Sequence, residues 1–348
     1  MSGVFVMARI FVLDTPTRPI ETPALFPVNN TGHRGEGNGP EYWTKIPDMK
    51  TMLLNARLLH KSPILQTLMD EGLHRHYAQD GIFFIDSGGF QNRASDIVID
   101  PIEILRIQES IGADIAATLD IPVLPQDNTL ARKHAEILRT CVKNALITLQ
   151  NREREDMLIY ACVQGGDIQT MLNMVDYLQK RGQFDGFAIG GLLPKRSDYQ
   201  QVVDTIWAVR KRIGDAPLHV FGLGGPSYIP LLVYLGVDTF DSSSYLRAGS
   251  KRVYFVPGQG SVDFQDIGKC TWLPCVCPVC SAYPSHEVRE DRRLIALHNL
   301  WMIAYEIRKL KIAIQENSLE PYLEQRLKPN PLIYGAYRYA KGKIRGFT

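Results

Sequence analysis

No stretch of this chain runs to eighteen uninterrupted apolar residues, so nothing in it reads as a membrane-spanning helix. The apolar start, "MSGVFVMARIFVLD", has no basic leading segment and no small-residue cleavage site. Arg9 interrupts it and Asp14 closes it, so it reads as a strand and not as a signal peptide. Charge is not in excess either: 39 Lys and Arg against 37 Asp and Glu leave +2, too little to mark a polyanionic partner. Any nucleic-acid footprint has to be local. Six cysteines, three of them crowded together, exclude a disulfide framework and suit a reducing, cytoplasmic setting. Repeats and low-complexity segments are missing too. What remains, 45% hydrophobic and 22% charged residues over 348 positions, is the composition of a globular protein long enough for one large barrel or two ordinary domains.

What the chain does have is alternation. Short β-rich runs occur at 22–28, 52–55, 82–85, 114–119, 157–163, 186–190, 218–222 and 237–240. Between them lie amphipathic stretches such as "PIEILRIQESIG", "DIQTMLNMVDYLQKRG" and "DYQQVVDTIWAVRKRIG", each ending at a stop signal. Eight apolar strands separated by helices predict an α/β protein, a (β/α)8 TIM barrel whose strands are buried on both faces.

Barrel enzymes build their sites at the C-terminal ends of the strands. Here those ends carry Asn29, Asn55, Asp86, Asp120, Gln164, Gly190 with Gly191, Gly222 with Gly224, and Asp241. One aspartate after a strand reads as a helix cap; several polar strand ends together read as one mouth. In "FFIDSGGFQNR", Asp86 then stands on that mouth, and Gly88 and Gly89 let backbone approach a ligand closely. Asp86, Asp120 and Asp241 are the mouth's carboxylates. Two carboxylates can divide a glycosidic displacement, one attacking the anomeric carbon while the other handles protons. No His-x-His pair follows the first strand, which disfavours a metal-dependent barrel hydrolase.

The last third breaks the alternation. The expected division is a catalytic barrel over 1–250, a zinc-binding subdomain with a barrel-closing helix over 251–316, and a basic, aromatic helical tail over 317–348. "CVCPVC" supplies three thiolates, Cys275, Cys277 and Cys280, and a tetrahedral zinc ion needs a fourth ligand. His298 in "ALHNLW" is the candidate, with His286 and Cys270 as alternatives. A zinc ion with four protein ligands has no open position and is structural.

Taken in order, "TPALFPV", "DSGGFQ", "VQGG", "AIGGL", "FGLGGP", "GVDTFDSSSY" and "CVCPVC" followed by "HNL" resemble the successive signatures of the guanine transglycosylases, from about Thr22 to Lys311. The resemblance implies a (β/α)8 barrel with a zinc subdomain, exchanging guanine in a polynucleotide for a free 7-deazaguanine base. It implies Asp241 as the nucleophile that attacks C1′ and forms a covalent glycosyl-enzyme, and Asp86 as the general acid/base. It assigns Asp120, Gln164 and the Gly190–Gly191 backbone to the guanine-like edge, places Gln91 in the same base site, and sets Phe90 and Phe221 where rings or sulfur sandwich the base.

Within the family, "GGLLPKRSDY" has Lys195 and Arg196 where enzymes of the bacterial tRNA type carry a glutamate matched to a cationic aminomethyl group. This resembles the archaeal-like branch, whose base is the neutral 7-cyano-7-deazaguanine. The tail "RLKPNPLIYGAYRYAKGKIRGFT" interleaves cations and tyrosines without an acidic residue, and leaves no room for the C-terminal RNA-binding domains of archaeal tRNA enzymes. Candidate phosphate contacts are Arg247, Lys251 and Arg252 after the last strand, and Lys341, Lys343 and Arg345 in the tail. The segment "NNTGHRGEGNGPEYWTKIPDMK" departs from the tRNA enzymes, and Cys280 lies closer to His298 than is usual in them. These departures point to DNA-modifying relatives. The alternatives are a tRNA enzyme with a separate RNA-binding subunit, and a non-catalytic partner subunit. The resemblance also suggests a homodimer through the zinc side and leaves room for an accessory protein.

Overall fold

A computed structural model of the chain describes residues 7–29, 31, 46, 49–90, 99–123, 131–256, 260–263, 273 and 275–346. Gln91, Cys270 and most of 30–48 lie outside them.

A two-stranded ladder, β1 (Val12–Leu13) with β2 (Ile20–Glu21), precedes the barrel. The barrel strands are β3 (Ala24–Pro27), β4 (Thr51–Asn55), β5 (Ile82–Asp86), β6 (Ile115–Ala117), β7 (Leu158–Val163), β8 (Gly186–Ile189), β9 (Leu218–Val220) and β10 (Thr239–Ser242). All eight predicted runs are strands. They form one parallel sheet in the order β3-β10-β9-β8-β7-β6-β5-β4. The two ends meet through the parallel bridge Val28–Leu53, with Asn29 N donating to Leu53 O at 2.8 Å. The run 114–119 yields only three strand residues; just before them the Asp114 carboxylate accepts from Thr17 N and Phe83 N.

Side chains alternate across the sheet, as a strand's two-residue period requires. Phe26, Leu53, Phe84, Ile115, Tyr160, Cys162 and Ala188 fill the barrel interior, while Leu25, Leu54, Ile85, Ile159, Ile189 and Val220 face the helices. The same parity sends Asn55, Asp86, Gln164 and Asp241 inward at the strands' C-terminal ends.

The helices are α1 (Ala56–His60), α2 (Ile64–Glu71), α3 (Leu73–His76), α4 (Pro101–Ser110), α5 (Ala131–Gln150), α6 (Ile168–Arg181), α7 (Tyr199–Ile213), α8 (Ile229–Tyr234) and α9 (Ser244–Ser250). Their starts follow from the residues before them. The carboxylates of Asp100, Asp167 and Asp198 accept from Ile102 N, Thr170 N and Gln201 N, capping α4, α6 and α7. Met171, Met174, Val175 and Leu178 make the buried stripe of α6, a spacing that keeps one helical face on the sheet.

Beyond the barrel come a hairpin, β11 (Val253–Val256) with β12 (Gly260–Asp263), and the short helices α10 (Pro278–Ala282) and α11 (Ser285–Glu290). The long α12 (Arg292–Gln315) follows, then α13 (Leu319–Leu327) and α14 (Pro331–Arg345). Leu294 to Leu300 are buried without a break, so α12 is a central helix; it packs on α9, β11, α10 and α13. The basic tail departs from expectation. Lys341 pairs with Glu320 at 3.1 Å and Glu324 at 3.0 Å, Lys343 with Asp204, and Arg345 with Glu320. Residues 326–348 contain no acidic residue to pair with these cations; α7 and the preceding α13 provide them. Lys343 thus ties α14 to α7 of the barrel, while Lys341 and Arg345 tie it to α13.

Candidate active site and metal centre

The C-terminal mouth of the barrel encloses a cavity of about 260 Å³, lined by Asn55, Asp86, Gly89, Phe90, Asp120, Gln164, Gly190, Gly191, Phe221, Asp241 and Arg247, among others. Every candidate base-binding and catalytic residue named from sequence lies on this one cavity, apart from Gln91, which falls outside the described residues. Of the proposed phosphate contacts, Arg247 lines it, while Lys251 and Arg252 are exposed in the turn just beyond α9.

Asp241 is nearly buried, and its Oδ1 accepts from Gly222 N at 2.7 Å. Asp86 opens to the cavity, but it lies deep in the molecule. Its Oδ2 accepts from Asn55 Nδ2 at 2.7 Å. Burial, then the neighbouring Asp120 and Asp241 carboxylates, push the Asp86 carboxyl up to about 7 against the hydrogen bonds from Gly88 and Asn55. A carboxyl titrating there can both give and take a proton near neutrality. Asp120 is buried, and burial raises it to about 6 although Gln164 and Ser87 oppose that by hydrogen bonding. Gln164 Nε2 donates to Asp120 Oδ2, and Ser87 Oγ to Oδ1 at 3.4 Å. Among the described residues the buried Gln164 Oε1 has no partner, so this pair offers a hydrogen-bonding edge to a ligand.

Two glycines make room for this pair. A Cβ on Gly89 would collide with the Asp120 carboxylate, and one on Gly190 with Gln164 Nε2. The close backbone approach expected at "DSGGF" is therefore made to a side chain of the site. Phe90 stands exposed on the rim, and Phe221 packs into the barrel top with its ring 6.0 Å from that of Phe84.

Sequence reading missed His219. It has the inward parity of Phe221 and Asp241, and the count that placed Asp86 would have found it. The buried ring lies 4.5 Å from Phe221, with Nε2 3.5 Å from Asp241 Oδ1.

The raised Asp86 carboxyl has a consequence for stability. The folded protein keeps a proton there that an ordinary aspartate, titrating at 3.8, releases. The resulting stabilisation is fully present below about 3.8 and is lost as pH rises through about 7. Asp86→Asn is expected to melt above the wild type at pH 8, by on the order of 1 kcal/mol, with the difference shrinking towards pH 5. Thermal melts at both pH values check this; an unchanging difference would mean that Asp86 is ionised throughout.

The second cluster lies beside the barrel. Ligand atoms of Cys275, Cys277, Cys280 and His298 fall within 4.8 Å of one another, and His298 Nδ1 stands 3.4 Å from both Cys277 Sγ and Cys280 Sγ. Tetrahedral zinc bonds place their ligand atoms roughly 3.5–3.8 Å apart, so this donor set fits the ion. His298 Nε2 is bonded to Phe255 O at 2.8 Å, which fixes that nitrogen as the donor and leaves Nδ1 free to coordinate. The Tyr254 ring stacks on His298 at 3.7 Å, and its hydroxyl reaches Cys280 Sγ at 3.1 Å. His286 is exposed and outside the cluster, Cys270 lies outside the described residues, and His298 completes the described donor set. The site is a structural zinc centre.

A closed parallel α/β barrel with three carboxylates in its mouth and a Cys3His centre beside it defines a narrow class of proteins. Within that class, residues 6–331 match the family described as Queuine tRNA-ribosyltransferase. The chain belongs to this family. It is 33% identical over 346 residues to the tRNA-guanine(15) transglycosylase of Thermococcus onnurineus, covering 95% of this chain and 57% of that protein. The protein of the same name from Methanocaldococcus jannaschii is 31% identical over 350 residues, 97% of this chain and 53% of its own length. That of Haloferax volcanii is 32% identical over 330 residues, covering 92% and 62% respectively. The chain thus spans a little over half the length of the curated relatives it matches. Among the described residues, no helix is long and apolar enough to cross a membrane.

Proposed function

We propose that this chain is a pentosyltransferase that exchanges guanine in a polynucleotide for a 7-deazaguanine. The observation that carries the reading is one cavity holding a backbone-bonded Asp241, an Asp86 raised to about 7, and the Asp120–Gln164 pair. An oxygen lone pair of Asp241 forms a bond to C1′ as the bond from C1′ to the guanine nitrogen breaks. Its electrons go to the guanine, which takes a proton from Asp86. In the second half, ionised Asp86 removes a proton from the incoming base, whose nitrogen attacks C1′ and returns the electron pair to Asp241. Asp120, Gln164 and the Gly190–Gly191 backbone read the base edge, with Phe90 and Phe221 about its faces.

The incoming base in this proposal is the neutral 7-cyano-7-deazaguanine. The loop after β8 presents Leu193 and Pro194 to the cavity, and Lys195 donates instead to Gly166 O at 3.3 Å. Among the described lining residues, no carboxylate beyond Asp86, Asp120 and Asp241 is present to pair with a cationic substituent. DNA is the polynucleotide proposed, supported by the motif departures at 29–50 and between Cys280 and His298. The relatives' names favour tRNA, which is the second reading. Arg247, Lys251 and Arg252 would serve either backbone. A duplexed guanine would first be flipped out. A homodimer and an accessory protein belong to the same proposal.

The test is incubation of the purified protein with radiolabelled guanine and either plasmid DNA or bulk tRNA. Label entering DNA alone supports the first reading, and label entering tRNA alone overturns it in favour of the second. Competition between the cyano and aminomethyl bases tests the base assignment; preference for the aminomethyl base would defeat it.

A further inference from the structure

His219 lies in the barrel interior with a fully buried ring, boxed by the rings of Phe26, Phe84 and Phe221. Its Nδ1 is 2.9 Å from Thr239 Oγ1. Its Nε2 makes no hydrogen bond to any described residue, and it faces Asp241 Oδ1 at 3.5 Å. A buried polar atom left without a partner is costly, so a native protein that keeps one is expected to use it. Burial pushes the imidazole down, with Asp241 opposing, which favours a neutral ring.

A neutral imidazole carries one donor and one acceptor nitrogen. An ionised carboxylate can only accept, so the proton must sit on Nε2 and the Thr239 hydroxyl must donate to Nδ1. Gly222 N already donates to Oδ1 at 2.7 Å. Both neighbours of the Asp241 carboxylate therefore converge on Oδ1, and Oδ2 meets no donor among the described residues. From this geometry we propose that His219 is a positioning residue, which donates Nε2–H to Asp241 Oδ1 and, with Gly222 N, turns Oδ2 to the cavity as the oxygen that bonds to C1′.

The proposal rests on Asp241 being the nucleophile. In the first half-reaction an Oδ2 lone pair forms the ester bond to C1′ while the electrons of the C1′–guanine bond leave with the base, and Oδ1 becomes the ester carbonyl. In the second half the ester bond returns its electrons to Oδ2, and the charge regained by the carboxylate is met by the two donors on Oδ1. A contact of 3.5 Å is long for a hydrogen bond, but catalytic hydrogen bonds commonly tighten only when substrate is bound. His219 would thus act on turnover in both directions and leave base affinity alone.

Three variants test this on the zinc-loaded full chain, with radiolabelled guanine and whichever of plasmid DNA or bulk tRNA accepts label. His219→Phe keeps the ring volume and removes the donor; kcat should fall by about 10- to 100-fold with KM for guanine within about threefold. His219→Gln restores an amide donor near Nε2 and should recover most of that loss. Thr239→Val removes only the group that sets the tautomer and should cost less, again in kcat. In spectra of isotope-labelled histidine, assigned by loss of the signal in His219→Gln, the ring should show a protonated Nε2 and a bare Nδ1. Wild-type kcat in His219→Phe, equal impairment of the Phe and Gln variants, or a protonated Nδ1 would each overturn the proposal. If Asp241→Ala itself still exchanges guanine, the fault lies with the nucleophile assignment; if it does not while His219→Phe is fully active, only the role of His219 falls.

Discussion

Asp241→Ala is expected to abolish base exchange, lowering it by on the order of 10⁴-fold or more, and to leave no covalent complex between protein and polynucleotide. Displacement at C1′ builds positive charge on that carbon, and a carboxylate both stabilises the charge and traps it as an ester. Asp86, with its carboxyl raised to about 7, is suited to proton transfer, and its role in this proposal is to serve the departing and incoming bases rather than C1′. Asp241→Asn keeps the size and the Gly222 N contact but removes the anion. It should bind the base as the wild type does and still form no adduct. Denaturing gels of protein mixed with labelled polynucleotide read the adduct directly, and an undiminished band in either variant would remove Asp241 from the chemistry.

The second large effect concerns the metal centre. Structural zinc contributes on the order of 10 kcal/mol of folding free energy in small zinc modules, because the unfolded chain offers no preformed site. Here three thiolates and one imidazole would otherwise face one another with little to hold them apart. Cys277, the most buried of the thiols, also caps α10 through its side chain, accepting from Cys280 N at 3.3 Å. Cys277→Ser, or removal of zinc by a chelator, is therefore expected to cost about 3 kcal/mol or more and to lower the melting temperature steeply. The damage should spread to the active site. His298 and Asn299 on α12 tie that helix to β11 through Phe255 O, Phe255 N and Val253 O, and α12 packs on α9, which follows Asp241 by two residues. Exchange activity should fall together with the melt, and added zinc should restore both in the chelated wild type but not in the variant. Full activity in zinc-free protein would show that the centre is dispensable to the barrel.

Much of this was legible in the linear chain because it depends on short-range patterns. A strand's two-residue period and a helix's apolar stripe repeat within ten residues, so eight strands and the helices between them could be counted. Asp86 and Asp241 stood out because each closes an apolar run with a charge. The three cysteines lie within six residues of one another, and that spacing alone points to a metal. The tail's ion pairs were not legible for the complementary reason. The cations of 326–348 have no acidic residue within that stretch, and their partners, Asp204 and Glu320 among them, are brought beside them by packing on α7 and α13.

The sequence by itself determined the barrel, its catalytic end, the carboxylates and the thiolates, since each is written in local periodicity or spacing. Only the tertiary structure decided what depends on residues far apart in the chain. It brought His298 and not His286 to the thiols, set Gly89 against Asp120, raised the Asp86 carboxyl by burying it and then by bringing the Asp120 and Asp241 carboxylates beside it, and brought His219 to Asp241. Each of these depends on groups far apart in the chain, brought together by folding and burial, and none is encoded at any single position.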